Sequence, residues 1–144
     1  MRGVSTSPLL GKIDRASREF HDRPAVILDD GCLTHAEVAT LSRRVSASLR
    51  GRGVRKGDRV ALYAQNGAEF AVLYLGIVRA GAVVVPLNLL IHTPEILHVL
   101  KDAGVMGILT QESLCERLED ALPQLPVPPF VIALRETASP IENL

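Results

Sequence analysis

The sequence has 144 residues, enough for about one domain, of which 47% are hydrophobic and 22% are charged. This composition is typical of a globular protein and excludes a disordered one. Lys plus Arg and Asp plus Glu each number 16, so the formal net charge is zero, and neither nucleic acid nor an anionic membrane is favoured as a partner. No membrane span is expected, because the longest apolar stretch, 68–78, is too short and contains Glu69. Cys32 and Cys115 lie far apart and are interpreted as reduced thiols of a cytoplasmic protein.

The first fifty residues predict a helix, a hairpin and a second helix. Ser7 suits the N-cap of the first helix and Pro8 its first turn. Apolar residues then recur at spacings of four, three and four, which predicts one buried stripe. The stripe consists of Leu9, Ile13, Ala16 and Phe20. The Asp29-Asp30-Gly31 run between two β-prone segments predicts a hairpin turn.

A capping box marks the start of the second helix. Thr34 is followed three residues later by Glu37, so the two residues are expected to cap the helix reciprocally. Glycines at 51 and 53 are expected to end it. Its predicted apolar face consists of Val38, Leu41, Val45 and Leu49.

The remaining residues alternate between strands and helices. Asn66 with Glu69 predicts one helix N-terminus, and Thr93 followed by Pro94 predicts another. The β-branched run 82–85 is expected to form a parallel strand that is buried on both faces. Strands are predicted at 59–63, 82–85, 106–110 and 130–134, and helices at 67–80, 94–103 and 111–122.

This alternation predicts a layered α/β fold, with a mainly parallel sheet, flanking helices and an N-terminal hairpin. Residues 1–22 are assigned to an N-terminal helical segment and residues 23–144 to a partial α/β domain. The helix at 67–80 is apolar around more of its circumference than one sheet can cover. A missing remainder of the protein, or an oligomeric partner, is therefore expected to cover it.

Four ordered segments carry a resemblance to a known family. The segments are Leu33-Thr34-His35-Ala36-Glu37-Val38, Gly53-Val54-Arg55-Lys56-Gly57-Asp58-Arg59-Val60-Ala61, Ala80-Gly81-Ala82-Val83-Val84-Val85-Pro86-Leu87-Asn88 and Leu100-Lys101-Asp102-Ala103-Gly104. Between about residues 19 and 116 the sequence resembles the N-terminal region of adenylate-forming (AMP-binding) enzymes, and it is most similar to acyl-CoA synthetases. The amino-acid-activating and luciferase-like branches stay open. His35 departs from the family pattern, which usually has an aromatic residue there, mostly Tyr.

The resemblance implies a two-step reaction in the complete enzyme. A carboxylate attacks the α-phosphorus of ATP in the presence of Mg²⁺, and the thiol of coenzyme A then attacks the acyl-adenylate. The family's phosphate loop, its aromatic-x-Thr-Glu segment, its ribose-binding Asp and its C-terminal Lys do not occur in these 144 residues. We therefore expect no catalytic, cofactor-binding or metal-binding residue here, and no activity from this chain alone. Two alternatives stay open: a non-catalytic interaction module derived from such an enzyme, and an unrelated α/β nucleotide-binding or regulatory protein.

Other candidate site residues are better explained structurally. The glycine-rich run 51–57 follows a helix and precedes a strand, whereas a phosphate loop has the opposite order. The histidines show no metal-ligand spacing, and neither cysteine has an evident base. Asp29 and Asp30 suit a turn. A structural hydrogen bond is favoured for Asn88 and a solvated face for the arginines. The histidines are His21, His35, His92 and His98, and the arginines are Arg43, Arg44, Arg50, Arg52, Arg55 and Arg59.

Overall fold

The computed structural model describes residues 7–29 and 31–135. Helices and strands alternate along this part of the chain. The helices are α1 Pro8–Glu19, α2 His35–Gly51, α3 Ala68–Ala80, α4 Thr93–Ala103 and α5 Glu116–Glu119. The strands are β1 Pro24–Leu28, β2 Gly31–Thr34, β3 Arg59–Tyr63, β4 Val83–Pro86, β5 Gly107–Gln111 and β6 Phe130–Leu134.

The strands form an antiparallel hairpin and a parallel sheet. β1 pairs with β2, and Ile27 lies opposite Cys32. The other four strands are ordered β4-β3-β5-β6. In this sheet Ala61 of β3 lies between Val85 of β4 and Ile108 of β5. The predicted fold class, a mainly parallel sheet with flanking helices and an N-terminal hairpin, is confirmed.

The central strand β3 shows why the sheet needs helices on both faces. Successive side chains of a strand point to opposite faces, and Val60, Ala61, Leu62 and Tyr63 are all fully buried. Val60 and Leu62 pack with residues of α2 and α3. Ala61 and Tyr63 pack with residues of α4 and α5. The result is a three-layer arrangement in which β3 and β5 lie at the centre.

Helix α3 is covered more fully by this chain than its composition suggests. Leu73 and Ile77 pack on the sheet, while Ala68 and Val72 pack with β2 and α2. Tyr74 retains 37% exposure. The hairpin and α2 therefore provide much of the layer that was expected from outside, and an apolar surface around Tyr74 remains uncovered by the described residues.

Of the three predicted caps at the starts of α2, α3 and α4, one is confirmed and two are wrong. At α2 the box is confirmed, because the Glu37 N–H donates to Thr34 Oγ1 (3.2 Å) and the Thr34 N–H donates to Glu37 Oε2 (2.8 Å). At α3 the prediction is wrong, since the N-cap is Gly67 and no side chain caps it. At α4 the predicted N-cap is wrong by one residue, because His92 occupies that position and Thr93 already lies in the helix.

The predicted apolar stripe of α1 is wrong at both ends. Leu9 is 45% exposed and Phe20 is 42% exposed, whereas Leu10 and Ser17 are buried. The helix is rotated because Asp14, on the face between Leu10 and Ser17, forms ion pairs with α2 and α3. An ionic contact and one leucine thus decide which face of α1 lies inward.

The predicted continuous helix over residues 111–122 is also wrong. A 3₁₀ turn at Glu112–Leu114 precedes the single helical turn of α5, and a second 3₁₀ turn follows at Leu122–Gln124. The α-helical bonding already ends at Ala121, whose N–H donates to the carbonyl of Leu118, and Pro123 has no N–H with which to resume it.

Strand β4 is an edge strand rather than a doubly buried one. It pairs only with β3 within the described residues, and Val83 is 51% exposed. The β-branched side chains of β4 therefore contact apolar neighbours, but the strand has no second pairing partner in this part of the chain. None of the described helices is long and apolar enough to cross a membrane.

Candidate functional site at the carboxyl edge of the sheet

Ligands of parallel α/β sheets usually bind outside the carboxyl ends of the strands. In this chain β3, β4 and β5 end at Tyr63, Pro86 and Gln111. Because the strands are parallel, the loops that follow them meet at one edge. Groups that could bind a substrate are therefore expected at that edge.

Arg117 links two of these loops. Its Nη1 donates to the carbonyl of Leu89 at 2.6 Å and lies 3.3 Å from the hydroxyl of the buried Tyr63. The guanidinium thus fixes the segment after β4 against the end of β3. Sequence reasoning missed this contact, because residues 54 positions apart give no local signal.

A second contact joins the ends of β3 and β5. The Gln65 N–H donates to Gln111 Oε1 at 2.8 Å, and Gln111 is itself buried. A buried amide that is bonded to backbone restricts the loop rather than offering a group to a ligand. This edge is therefore held together by side chains that cross from one loop to the next.

Asn88 has the structural geometry that its position suggested. Its Oδ1 accepts from the Leu90 N–H at 2.9 Å, which closes a turn after β4. A side chain of this kind shapes the loop backbone.

The resemblance implies ATP and Mg²⁺ for the complete enzyme, and the expectation that this chain alone binds neither stays a prediction. A triphosphate needs backbone N–H groups at a helix N-terminus and a cation directed at its oxygens. At this edge Arg117 Nη1, Gln111 Oε1 and Asn88 Oδ1 each form a hydrogen bond within the chain. Residues 7–29 and 31–135 contain no group of three His, Cys, Asp or Glu residues that could hold a metal ion.

The glycine-rich run 51–57 forms a helix end and a turn. Helix α2 ends at Gly51, and Gly53 and Gly57 have φ of +88° and +89°. Asp58 Oδ2 accepts from the Arg55 N–H at 2.7 Å. The run follows the C-terminal end of α2 and precedes β3, so no helix N-terminus directs its N–H groups at a nucleotide phosphate, as a phosphate loop requires.

The four histidines do not gather into one site. His21 Nδ1 lies 2.6 Å from Asp22 Oδ1 on the exposed surface. The ring of His35 lies 6.2 Å from that of Phe20, and His92 is the N-cap residue of α4, with its N–H donating to Glu95 Oε2. His98 lies within α4. None of them belongs to a metal-binding group in the described part of the chain.

The surroundings of Cys115 do not activate its thiol as a nucleophile. Both cysteines are free thiols, and Cys32 is exposed on β2. Partial burial raises the pKa of the Cys115 thiol, and the nearby Glu112 and Glu119 raise it further. A raised pKa lowers the thiolate fraction at neutral pH. Asp29 lies in the hairpin turn, and Asp30 lies outside the described residues.

The six arginines do more than form a solvated face. Arg59 bonds to the carbonyls of Ala103 and Gly104 at 2.7 and 2.9 Å. Arg50 bonds to the carbonyl of Arg79 at 2.7 Å, and Arg52 lies 5.8 Å from the centre of the Phe130 ring. Interpreting all of them as solvent-facing was thus incomplete, because several cap helix ends or join elements.

An ionic cluster at Asp14 was not visible from the sequence. Arg79 Nη1 donates to Asp14 Oδ2 at 3.1 Å, Arg43 Nη2 donates to Asp14 Oδ1 at 3.0 Å, and Arg79 Nε donates to Ser42 at 2.9 Å. The Arg79 hydrogen bond is the main reason that the pKa of Asp14 lies below its ordinary value of 3.8, although partial burial acts in the opposite direction. This cluster joins α1, α2 and α3.

Comparison with known proteins identifies a family and several proteins that this chain resembles. Residues 13–143 match the AMP-binding enzyme family. A medium/long-chain-fatty-acid–CoA/3-oxocholest-4-en-26-oate–CoA ligase of Mycobacterium tuberculosis is 32% identical over 105 residues, which cover 73% of this chain and 19% of the relative. A linear gramicidin synthase of Brevibacillus parabrevis is 33% identical over 113 residues, which cover 78% of this chain and 2% of the relative.

The structural comparison agrees. A fatty acyl CoA synthetase from Mycobacterium tuberculosis superposes with a TM-score of 0.78 at 27% identity, covering 87% of this chain and 26% of that structure. The layered sheet, the hairpin and the order of the elements define an N-terminal α/β region of the adenylate-forming type. The chain belongs to the AMP-binding enzyme family, and it spans about a fifth of the length of the mycobacterial ligase that it matches. An unrelated α/β nucleotide-binding protein is excluded.

Proposed function

We propose that these 144 residues are the N-terminal region of an ATP-dependent acyl-CoA ligase. The complete protein would join a carboxylic acid to ATP, forming an acyl-adenylate and pyrophosphate, and would then transfer the acyl group to coenzyme A. The observation that carries the proposal is the family match over residues 13–143. The names of the similar ligases support the choice of reaction.

In this proposal the region is a scaffold rather than the source of reacting groups. The hydrogen bonds of Arg117 and Gln111 hold the loops at the carboxyl edge in place, and the two faces of the sheet are packed against helices. ATP, Mg²⁺ and coenzyme A would bind to groups that these residues do not contain. A cytoplasmic location and a role in fatty acid metabolism belong to the same proposal.

ATP–pyrophosphate exchange tests the proposal. The purified 144-residue chain is incubated with ATP, Mg²⁺, labelled pyrophosphate and, in turn, acetate, octanoate and palmitate. We expect no exchange above the buffer background with any acid, because the family's phosphate loop and C-terminal Lys, which would stabilise the charge that develops on the phosphates, do not occur in these residues. A complete fatty-acid–CoA ligase is the positive control. Acid-dependent exchange by this chain would contradict the proposal.

A non-catalytic interaction module is the second candidate function. The observation that favours it is the outer edge of β4, which has no pairing partner among residues 7–29 and 31–135 and where Val83 is 51% exposed, because such an edge can add a strand from another protein. A stable complex purified from native extracts, containing a polypeptide of about this size and a full-length ligase, would support this function. Recovery of this region only as part of a longer ligase would exclude it.

A further inference from the structure

A cleft of about 940 Å³ lies between the start of α1, the second half of α2 and the C-terminal end of α3. Its wall includes Arg43, Ser46, Arg50, Lys56 and Arg79. Lys56 precedes β3 and the end of α3 precedes β4. The cleft therefore lies at the amino edge of the sheet, opposite the edge where the loops after β3, β4 and β5 meet.

The cleft carries a local excess of positive charge in a chain whose net charge is zero. Four cationic side chains line it, and no Asp or Glu is among its lining residues. Asp14 is the one carboxylate paired with them in the described part of the chain, through Arg43 and Arg79. At most one of the four positive charges is neutralised in this way.

Several donors remain available after the contacts within the protein. A guanidinium has five N–H groups, and Arg43 and Arg50 each use Nη2 in one hydrogen bond. No hydrogen bond or ion pair engages Lys56 Nζ among residues 7–29 and 31–135. Ser46 is buried and lines the same cleft. Together these groups offer an ammonium, guanidinium forks and a hydroxyl to one ligand.

The cleft is also built on fixed backbone. Arg79 is 9% exposed and is held by Asp14 and Ser42. Gly81, at φ +85°, lies so close that a methyl group there would come within 3.3 Å of Lys56 Cα, and the Gly57 N–H donates to its carbonyl at 2.9 Å. Groups held in place before binding lose less conformational entropy when a ligand arrives.

We propose that this cleft binds a small phosphate-bearing anion, such as a diphosphate or a phosphate ester. Phosphate oxygens accept from ammonium, guanidinium and hydroxyl donors together. A volume of about 940 Å³ lies within the range of about 300–1,000 Å³ that small-molecule sites occupy. This inference goes beyond the proposed ligase reaction, and ligand binding here does not require that reaction.

Isothermal titration of the full 144-residue chain with pyrophosphate at low ionic strength tests the inference, with sulfate at matched ionic strength as the comparison anion. We expect saturable binding of pyrophosphate that is stronger than that of sulfate. Lys56→Met is expected to weaken it about tenfold, the usual effect of losing one charge-assisted hydrogen bond, while Lys56→Arg retains it. Lys101→Met, which removes a lysine from α4 on the other side of the sheet, is expected to leave binding unchanged.

Three outcomes would overturn the inference: no saturable heat, equal affinity for sulfate and pyrophosphate, or equal losses in Lys56→Met and Lys101→Met. Thermal unfolding of each variant shows that the fold is retained. Vesicles of phosphatidylcholine with phosphatidic acid identify the source of the phosphate. If the chain sediments with these vesicles and pyrophosphate releases it, the ligand is a lipid headgroup. If the chain does not sediment with the vesicles, the ligand is a soluble phosphate.

Discussion

At the residue scale, Gly76 shows how closely α2 and α3 approach each other. A methyl group at this position would overlap the side chain of Val45 and would lie 3.3 Å from the carbonyl of Ser42. Valine in a helix has essentially one rotamer, so Val45 cannot turn away. The small residue is thus required by the contact between the two helices.

We predict that Gly76→Ala lowers the free energy of unfolding by about 1–3 kcal/mol, the usual range for overpacking. Urea unfolding measures the change. The double variant Val45→Ala with Gly76→Ala should recover part of the loss, because it removes the overlapping methyl groups. Gly11→Ala, on α1 with no atom within 4 Å of the new methyl group, is the matched control. It should stabilise the chain by up to about 1 kcal/mol through helix propensity. A neutral Gly76→Ala would contradict the tight packing.

Asp14 predicts a pH dependence of stability. Because the pKa of Asp14 in the folded chain is lowered below 3.8, chiefly by the Arg79 hydrogen bond, its carboxylate stabilises the fold above the unfolded-state pKa. That contribution is lost as the pH falls through the lower, folded-state pKa. We expect Asp14→Asn to be less stable than the wild type at neutral pH, because Arg79 is nearly buried and loses its counter-ion.

Urea unfolding of both proteins between about pH 2 and pH 7 checks this prediction. The two stability curves should converge at the acidic end of the range. Glu19→Gln is the control, since that carboxylate pairs with Arg15 on the exposed surface, where such pairs contribute little. Parallel curves for Asp14→Asn and the wild type across the whole range would contradict the assigned role of Asp14.

At the element scale, the start of α2 depends on one side chain. Thr34 Oγ1 accepts from the Glu37 N–H, which would otherwise have no partner in the first turn. We predict that Thr34→Ala lowers the free energy of unfolding by about 1 kcal/mol. Thr34→Ser keeps the oxygen and should retain most of the stability. Equal losses in the two variants, measured by urea unfolding, would show that the methyl group of Thr34 matters rather than its cap.

The elements that were predicted well from the sequence are those with local signals. The capping box at Thr34, the Asp-Gly run after β1 and the glycine at 104 each act within a few residues, so the start of α2, the presence of the hairpin and the end of α4 were foreseen, although Gly31 lies in β2 rather than in the turn. The face of α1 was not foreseen, because it depends on Asp14 meeting Arg79, 65 positions away. The edge position of β4 also follows from strand order, which hydrophobicity does not encode.

At the scale of the whole molecule, the chain forms packed layers and leaves edges open. The sheet is covered on both faces, yet β4 has no second partner in the described part of the chain, and Val83 and Tyr74 stay exposed. The mycobacterial ligase extends well beyond the matched region, which covers 19% of it. These exposed apolar groups are where we propose that the remainder of a longer ligase packs.

Much of the candidate site could not be predicted from the sequence, because its contacts join residues that lie far apart in the chain. The family resemblance indicated that reacting groups were not among these residues, and that expectation stays a prediction. The links from Arg117 to Leu89 and from Gln65 to Gln111 were not foreseen. The basic cleft joins residues of three helices, and only the fold brings them together.

The mass of the native polypeptide tests most directly whether this region belongs to a longer ligase. An antibody raised against the exposed α1 region would detect the product in an extract of the source cells by denaturing electrophoresis. We predict a polypeptide several times longer than 144 residues, in which this region is the N-terminal part of a ligase. A stable product of about 144 residues, with no longer form, would contradict that claim.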